Sequence, residues 1–301
     1  MEKNEFKQGV IYALCAYTLW GVAPLYFKYI DQISPIEIIM HRVIWSFSLL
    51  FLLVLLTGQL KVVKDIIKQP KLMLILSATS LLIGVNWLIF IWAVNNDRML
   101  EASLGYFINP LLNVALGMLF LNERLPKLQL AAVALAFFGV ALQLVVYGSI
   151  PWVSLALAFS FGIYGLIKKK VQLTAVTSLF IETAILVPPA IIYWCITTSE
   201  TTNFQVNSLS LNLVLISAGV VTTLPLLAFS AAATRIPYYM LGLFQYIGPS
   251  MMFVMAIVLF GEALDQTKLT TFAFIWAALI LFVFDVWRRA RNKKRSAKLS
   301  S

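Results

Sequence analysis

Two charged residues stand inside otherwise apolar stretches, and they have the clearest potential for chemistry in this chain. Arg42 lies in the stretch 36–57 and Glu182 in the stretch 174–197. A charge at the centre of a membrane helix costs about 2.5–3.5 kcal/mol on insertion scales, so a charged residue there is expected to have a structural or functional role. We predict that Arg42 and Glu182 face an internal cavity, where they pair or compete for a solute and a proton. The alternative is a buried ion pair that only fixes helix register.

Further titratable residues are candidates for proton coupling. His41, the only histidine, lies one turn after Glu37, so an i,i+4 contact is expected. Histidine titrates near neutral pH, and we name His41, Glu101 and Glu182 as candidates. Glu101 has a second explanation, because a helix N-terminus favours negative charge. One histidine and two cysteines lack the spacing of a metal site, so neither a metal nor a cofactor is predicted.

Pro110 and Pro249 each fall near the middle of an apolar stretch. A proline there removes a backbone donor and disturbs the carbonyl four residues earlier. Irregular backbone at membrane depth is tolerated only where protein or a water-filled cavity covers it. Polar side chains surround both predicted kinks, and we predict that they line a solute pathway: Tyr106, Asn109, Asn113, Gln245 and Tyr246. The alternative is a pair of packing kinks without ligand contact.

Four more residues complete the predicted pathway. Asn86 and Trp87 belong to one apolar stretch, and Thr222 and Thr223 lie at about the same depth in another. Aromatic faces suit planar or cationic organic solutes, although Trp also anchors helices at membrane interfaces. We therefore predict that Trp87 contributes to an aromatic wall of the pathway, with Thr222 and Thr223 at about the same depth.

Ten apolar stretches position these residues, and each is about as long as the roughly 20 residues that a membrane-spanning helix needs. They run over 9–28, 36–57, 71–94, 100–121, 127–147, 151–168, 174–197, 211–234, 239–260 and 268–287. Spanning β-strands need only about 9–11 residues and alternate their faces. The pattern predicts an all-α integral membrane protein with ten transmembrane helices.

Composition excludes a soluble domain of ordinary kind. Apolar residues make up 61% of the 301-residue chain and charged residues 12%, against about 45–50% and 25% in soluble proteins. Most of the 23 Lys and Arg residues fall on one side of the predicted topology, as in cytoplasmic loops. This places both termini in the cytoplasm. The net charge of +10 then reflects lipid contact and not nucleic-acid binding.

The two halves of the chain look duplicated. Glu123 follows Pro110 at the same distance at which Glu262 follows Pro249. We predict one five-helix repeat over 1–148, a second over 149–287 and a basic cytoplasmic tail over 288–301. Because five is odd, the second repeat would be inverted relative to the first, an arrangement that recurs in secondary transporters.

Several blocks resemble the EamA-type members of the drug/metabolite transporter superfamily, in particular the RarD type. They are LWGVAPLYFK at 19–28, HRVIWS at 41–46, NWLIFIWAVNN at 86–96, LEASLGYFINPLLNVALG at 100–117, TTLPLLAFSAAATR at 222–235, LGLFQYIGP at 241–249 and FAFIWAALILFVFD at 272–285. The resemblance covers nearly the whole chain. It implies a carrier of the bacterial inner membrane with two inverted repeats around a central cavity. RarD-type proteins are often described as chloramphenicol-resistance permeases.

We therefore predict a secondary carrier for small organic solutes, embedded in the lipid bilayer and working by alternating access. No phosphate-binding loop is present, which argues against ATP hydrolysis by this chain. The motifs of zinc proteases and serine hydrolases are also missing, so an enzyme is disfavoured. A channel, or a receptor or helper protein that transports nothing, is the alternative. A homodimer is left open.

Overall fold

A computed structural model describes residues 3–96, 98–197, 201, 203–259 and 266–299. Helices make up nearly all of these residues, and no β-strand occurs among them. The helices are α1 (Lys3–Tyr29), α2 (Pro35–Leu56), α3 (Leu60–Ile67), α4 (Pro70–Asn95), α5 (Met99–Leu121), α6 (Lys127–Tyr147), α7 (Trp152–Lys170), α8 (Ala175–Ile196), α9 (Leu209–Arg235), α10 (Tyr238–Gln245), α11 (Ile247–Val258) and α12 (Gln266–Leu299).

Local sequence signals explain where several helices begin and end. Pro35 and Pro70 occupy first positions, where the missing backbone N–H has no helical partner in any case. The Thr174 side chain caps α8 by accepting a hydrogen bond from the Thr177 backbone N–H. Gly148 ends α6 with a φ of +76°, a conformation that glycine adopts without strain. This last signal coincides with the predicted end of the first repeat.

Eight helices are long and apolar enough to cross a membrane, as judged by length and composition of the described residues: α1, α2, α4, α5, α6, α8, α9 and α12. They correspond to eight of the ten predicted spans. The stretch 151–168 forms α7, which ends in three lysines. The stretch 239–260 is divided between two helices shorter than a span. The chain is thus an all-α, multi-pass membrane protein.

The stretch 239–260 is irregular close to Pro249, where a disturbance of the helix is predicted. One residue, Tyr246, separates α10 from α11, and its N–H bonds the Leu243 carbonyl, three residues back instead of four. The physical reason is Pro249, which has no N–H to offer the Gln245 carbonyl. In contrast, α5 runs without interruption through Pro110.

Helices of the first half pack mainly on helices of the second half. Helix α1 contacts α9, and α4 contacts α7. In the same way, α5 contacts α7, and α1 contacts α11. The α2–α9 and α4–α8 pairs and the α2–α8, α5–α10 and α6–α12 pairs belong to the same arrangement. Exchanging the halves converts each contact into another of the set or into itself. Large apolar side chains such as Leu74, Leu119 and Ile280 remain more than 70% exposed, as expected on a surface that faces lipid.

The closest backbone approach in this packing lies between α2 and α9. A Cβ atom on Gly219 would stand 2.5 Å from the Trp45 carbonyl carbon. We expect Gly219→Ala to push the helices apart and to lower the free energy of unfolding by about 1–3 kcal/mol, the usual cost of overpacking. Thermal unfolding in detergent would measure this. Gly248→Ala is the control, because its Cβ would meet nothing nearer than 3.6 Å; equal losses in both variants would contradict the argument.

Candidate functional site

The Arg42 guanidinium lies at the junction of α2, α4 and α9. Its Nε–H donates a hydrogen bond to Thr222 Oγ1 at 2.8 Å. Its central carbon lies 4.6 Å from the centre of the Trp87 ring and 5.7 Å from that of Phe27. Such distances favour cation–π attraction. We call Arg42, Thr222, Trp87 and Phe27 the Arg42 site.

The helices bring these groups together because α2 and α9 approach closely. Gly219 lies one turn before Thr222 on α9, and the absence of a side chain there lets α9 contact the α2 backbone at Trp45. Small residues commonly allow such contacts between membrane helices. Thr222 is thereby held against Arg42. Three of the predicted pathway residues, Arg42, Trp87 and Thr222, thus lie together, a contact that the sequence did not predict.

No carboxylate neutralises Arg42 within the part of the chain that the structure describes. The nitrogen bonded to Thr222 is the only one of its three that hydrogen-bonds a described residue. The two terminal nitrogens of the guanidinium therefore have no hydrogen-bond partner among the described residues.

A small cavity of about 10 Å³ adjoins the Arg42 site. This volume holds about one water molecule. Its walls come from α2, α4, α8 and α9 and include Val43, Ser46, Leu50, Trp87, Leu179, Thr183, Thr222, Thr223 and Leu226. The Thr223 hydroxyl is 1% exposed and has no hydrogen-bond partner in the described structure. This cavity therefore offers little space beside Arg42 in this conformation.

The predicted pairing of Arg42 with Glu182 is wrong. Glu182 Oε1 lies 2.8 Å from Lys168 Nζ, and both side chains are at most 5% exposed. A run of lysines at the end of an apolar stretch is typical of a cytoplasmic loop, but α7 continues to Lys170 and Lys168 is buried in the bundle. Lys168 therefore forms the ion pair with the Glu182 carboxylate, and Arg42 does not contact this carboxylate.

Hydroxyl groups complete the environment of this ion pair. Thr79 Oγ1 donates to Glu182 Oε1 at 2.7 Å, and Lys168 Nζ donates to Ser178 Oγ at 2.8 Å. Tyr164 OH lies 3.5 Å from the second carboxylate oxygen. The pair therefore connects α4, α7 and α8. Buried ion pairs persist only with such additional hydrogen bonds.

The polar residues near the two prolines form a separate network between α5, α7 and α10. Asn113 Nδ2 donates to Asn109 Oδ1 and to Gln245 Oε1, each at 3.0 Å. Asn109 donates to the Ala158 carbonyl at 2.7 Å, and Tyr238 OH donates to Asn113 Oδ1 at 2.8 Å. All of these side chains are buried. They connect helices and do not line the cavity described above, so their place in a solute pathway stays a prediction.

Two other predicted pathway residues also bond neighbouring helices. Tyr246 OH donates to the Phe107 carbonyl at 3.1 Å. Asn86 Nδ2 donates to the Leu157 carbonyl at 3.0 Å and to Ser160 Oγ at 2.9 Å. Both side chains join a helix of one half to a helix of the other.

His41 does not contact Glu37 as predicted from their spacing. Thr201 stands between them, donating its hydroxyl hydrogen to Glu37 Oε2 at 2.6 Å and lying 3.1 Å from His41 Nε2. Because that hydrogen is used, Nε2 carries the imidazole proton. The other ring nitrogen is buried without a partner beside Trp194. The side chain of Glu101 and the whole of Glu262 lie outside the described residues.

Sequence reasoning missed the role of Glu123. Its two carboxylate oxygens accept the backbone N–H groups of Tyr238 and Tyr239 at 2.7 and 2.9 Å, which caps the N-terminus of α10. A carboxylate is favoured there by both hydrogen bonding and the helix dipole. The repeated proline-to-glutamate spacing was the available signal, but it pointed only to duplication.

We expect Glu123→Ala to lower the free energy of unfolding by about 0.5–2 kcal/mol, the range for lost N-caps. Glu123→Gln should lose less, because one oxygen acceptor remains. Thermal unfolding in detergent would measure both. Asp65→Ala removes an exposed carboxylate on α3 and serves as control. Wild-type stability of Glu123→Ala would contradict the capping role.

Comparison with known proteins gives a consistent result. The EamA-like transporter family matches residues 7–145. An uncharacterized transporter of Vibrio cholerae is 52% identical, with 98% of each chain covered. The protein RarD of Escherichia coli K12 is 50% identical, covering 98% of this chain and 100% of its own. A more distant relative, the chloramphenicol-sensitive protein RarD of Pseudomonas aeruginosa, is 32% identical over 96% of this chain and 97% of its own.

The fold also has a solved counterpart. One crystal structure covers 93% of this chain and 98% of its own with a TM-score of 0.71 at 18% identity, which supports the helical arrangement alone. The sequence relatives carry the assignment further, since identity near 50% extends over almost the entire chain. This chain belongs to the EamA-like transporter family and is a multi-pass membrane transporter, not an enzyme.

Proposed function

We propose that this protein is a secondary carrier that moves a small organic solute across the bacterial inner membrane by alternating access at the Arg42 site. The observation that carries the proposal is a guanidinium that no described carboxylate neutralises, beside Trp87, Thr222 and a small cavity. A charge at membrane depth without a counter-charge is expensive. Binding and release of a solute that pairs with the guanidinium would explain why this costly charge is present.

We propose further that ten spans form two inverted repeats, 1–148 and 149–287, with both termini and the tail 288–301 in the cytoplasm. Helix α7 and the pair α10–α11 would supply the two spans beyond the eight candidates. The exchange symmetry of the helix contacts supports this arrangement, since α1–α9 corresponds to α7–α4 and α5–α7 to α11–α1. Inverted repeats with a site at their interface are common in secondary transporters.

In this topology the Lys168–Glu182 pair lies on the cytoplasmic side of the Arg42 site. Lys168 is near the inner end of α7, and Glu182 lies two turns into α8 from its inner end. The pair, with Thr79 and Ser178, closes the inner half of the bundle. Inward opening then requires these bonds to separate, and protonation of Glu182 is the proposed coupling step.

Counterflow in proteoliposomes tests the carrier function. Vesicles containing purified protein would be preloaded with an unlabelled solute and exposed to the same labelled solute, without ATP. The name of one relative suggests chloramphenicol as the first solute, followed by a panel of metabolites. We expect transient accumulation that protein-free vesicles lack. Specific solute binding without accumulation would instead favour a receptor or helper.

A further inference from the structure

We propose that the solute of the Arg42 site is a small aromatic monocarboxylate, whose carboxylate supplies a counter-ion that no described residue gives Arg42. The inference rests on the proposed carrier function and names the class of solute. Three features of the site support it: the free donors of the guanidinium, the single net charge and the aromatic surroundings.

The guanidinium has hydrogen-bonding capacity left over. Only Nε–H is used, by Thr222, so the two terminal nitrogens can donate in parallel. A planar guanidinium matches a carboxylate with two such bonds, and charge-assisted bonds of this type are the strong ones. The described structure gives Arg42 a hydroxyl and two ring faces but no anion. An anionic group that enters the site would complete it.

One positive charge is available there. The other deeply buried cation among the described residues, Lys168, is neutralised by Glu182 at 2.8 Å. A monovalent carboxylate would leave the Arg42 site neutral. A dianion such as a phosphate monoester would leave one charge uncompensated at membrane depth, which is costly. The charge balance therefore favours a monocarboxylate.

The surroundings suit an aromatic body. The Trp87 and Phe27 rings face the guanidinium. Thr223 offers a buried hydroxyl without a partner among the described residues, on the cavity wall, for a polar substituent. Because the cavity holds only about 10 Å³, the solute would have to widen the space between α2, α4 and α9.

Binding to the full-length protein in nanodiscs tests the proposal. The probes are benzoate, phenylacetate and 3-phenylpropionate, each compared with its uncharged amide, and inorganic phosphate. Thermal unfolding and quenching of tryptophan fluorescence would report binding. We expect at least one carboxylate to bind at least 10-fold more tightly than its amide and than phosphate. Arg42→Gln should weaken that binding by about 10- to 100-fold, the factor for lost hydrogen bonds to a charged group.

Arg98→Gln is the matched control. Arg98 also lies over tryptophan rings, 5.6 Å from Trp92 and 5.8 Å from Trp152, but it is exposed and lies beyond the end of α4. Its variant should bind carboxylates like the wild type. The proposal fails if no carboxylate binds better than its amide, or if Arg42→Gln binds as tightly as the wild type. Counterflow of a neutral solute in the same preparation would then show that the carrier function survives without the anion assignment.

Discussion

Lys168→Met is expected to lower the free energy of unfolding by about 3–5 kcal/mol, the cost of removing one partner from a buried ion pair. The Glu182 carboxylate is 2% exposed and would remain with only hydroxyl donors from Thr79 and Tyr164. Methionine has nearly the shape of the lysine stem, so the loss reports the charge and not a cavity. Thermal unfolding of the purified protein in detergent, with expression level recorded separately, would measure it.

Two further variants separate this effect from a general intolerance of substitution. The double variant Lys168→Met, Glu182→Gln removes both charges and should recover most of the lost stability, because neutral replacements of buried pairs are often well tolerated. Lys170→Met makes the same change at an exposed position of the same helix and should have little effect. A double variant as unstable as Lys168→Met would argue that the charge pair is not the cause.

Arg42→Met is expected to reduce the counterflow rate by about 100-fold, because the solute loses hydrogen bonds to a charged group worth about 1.5–3 kcal/mol. Arg42→Lys should retain part of the activity, since an ammonium keeps the charge but has neither the planar fork nor the stacking surface. The Nε–H bond to Thr222 and the contact with Trp87 would also be lost. Initial counterflow rates at equal protein amounts would measure both variants.

The control for Arg42 must exclude a folding defect. Both variants should unfold within a few degrees of the wild type, because Arg42 has no charged partner that its removal would strand. Arg98→Met, which changes an exposed arginine over Trp92 and Trp152, should transport normally. Full counterflow by Arg42→Met would remove Arg42 from the proposed mechanism.

Some features of the site were predictable from the sequence because they depend on depth alone. Trp87 and Thr222 were expected at about the same depth in two apolar stretches, whereas their contacts with Arg42 were not predicted. The partner of Glu182 was not predictable. Lys168 reads as the first residue of a cytoplasmic lysine run, and only the extent of α7 and its packing on α8 show that the ammonium turns inward.

The interruption between α10 and α11 also depends on contacts that the local sequence does not reveal. Both central prolines have the same local chemistry, yet α5 continues through Pro110 while the other helix is interrupted beside Pro249. Around Pro110, neighbouring Asn109 and Asn113 bond α7 and α10 and hold α5 in place. Whether a proline breaks a helix therefore depends on contacts from other helices, which a sequence window does not contain.

By itself the sequence determined the membrane class, the approximate bounds of most helices and the family, because long apolar runs have only one stable environment and the family blocks are long. The tertiary structure alone decided which buried charges meet, which amides connect helices and how small the central space is. These depend on the rotation and approach of helices distant in the chain, as at Gly219 and Trp45. Ångström-scale contacts of this kind follow from packing and not from hydropathy.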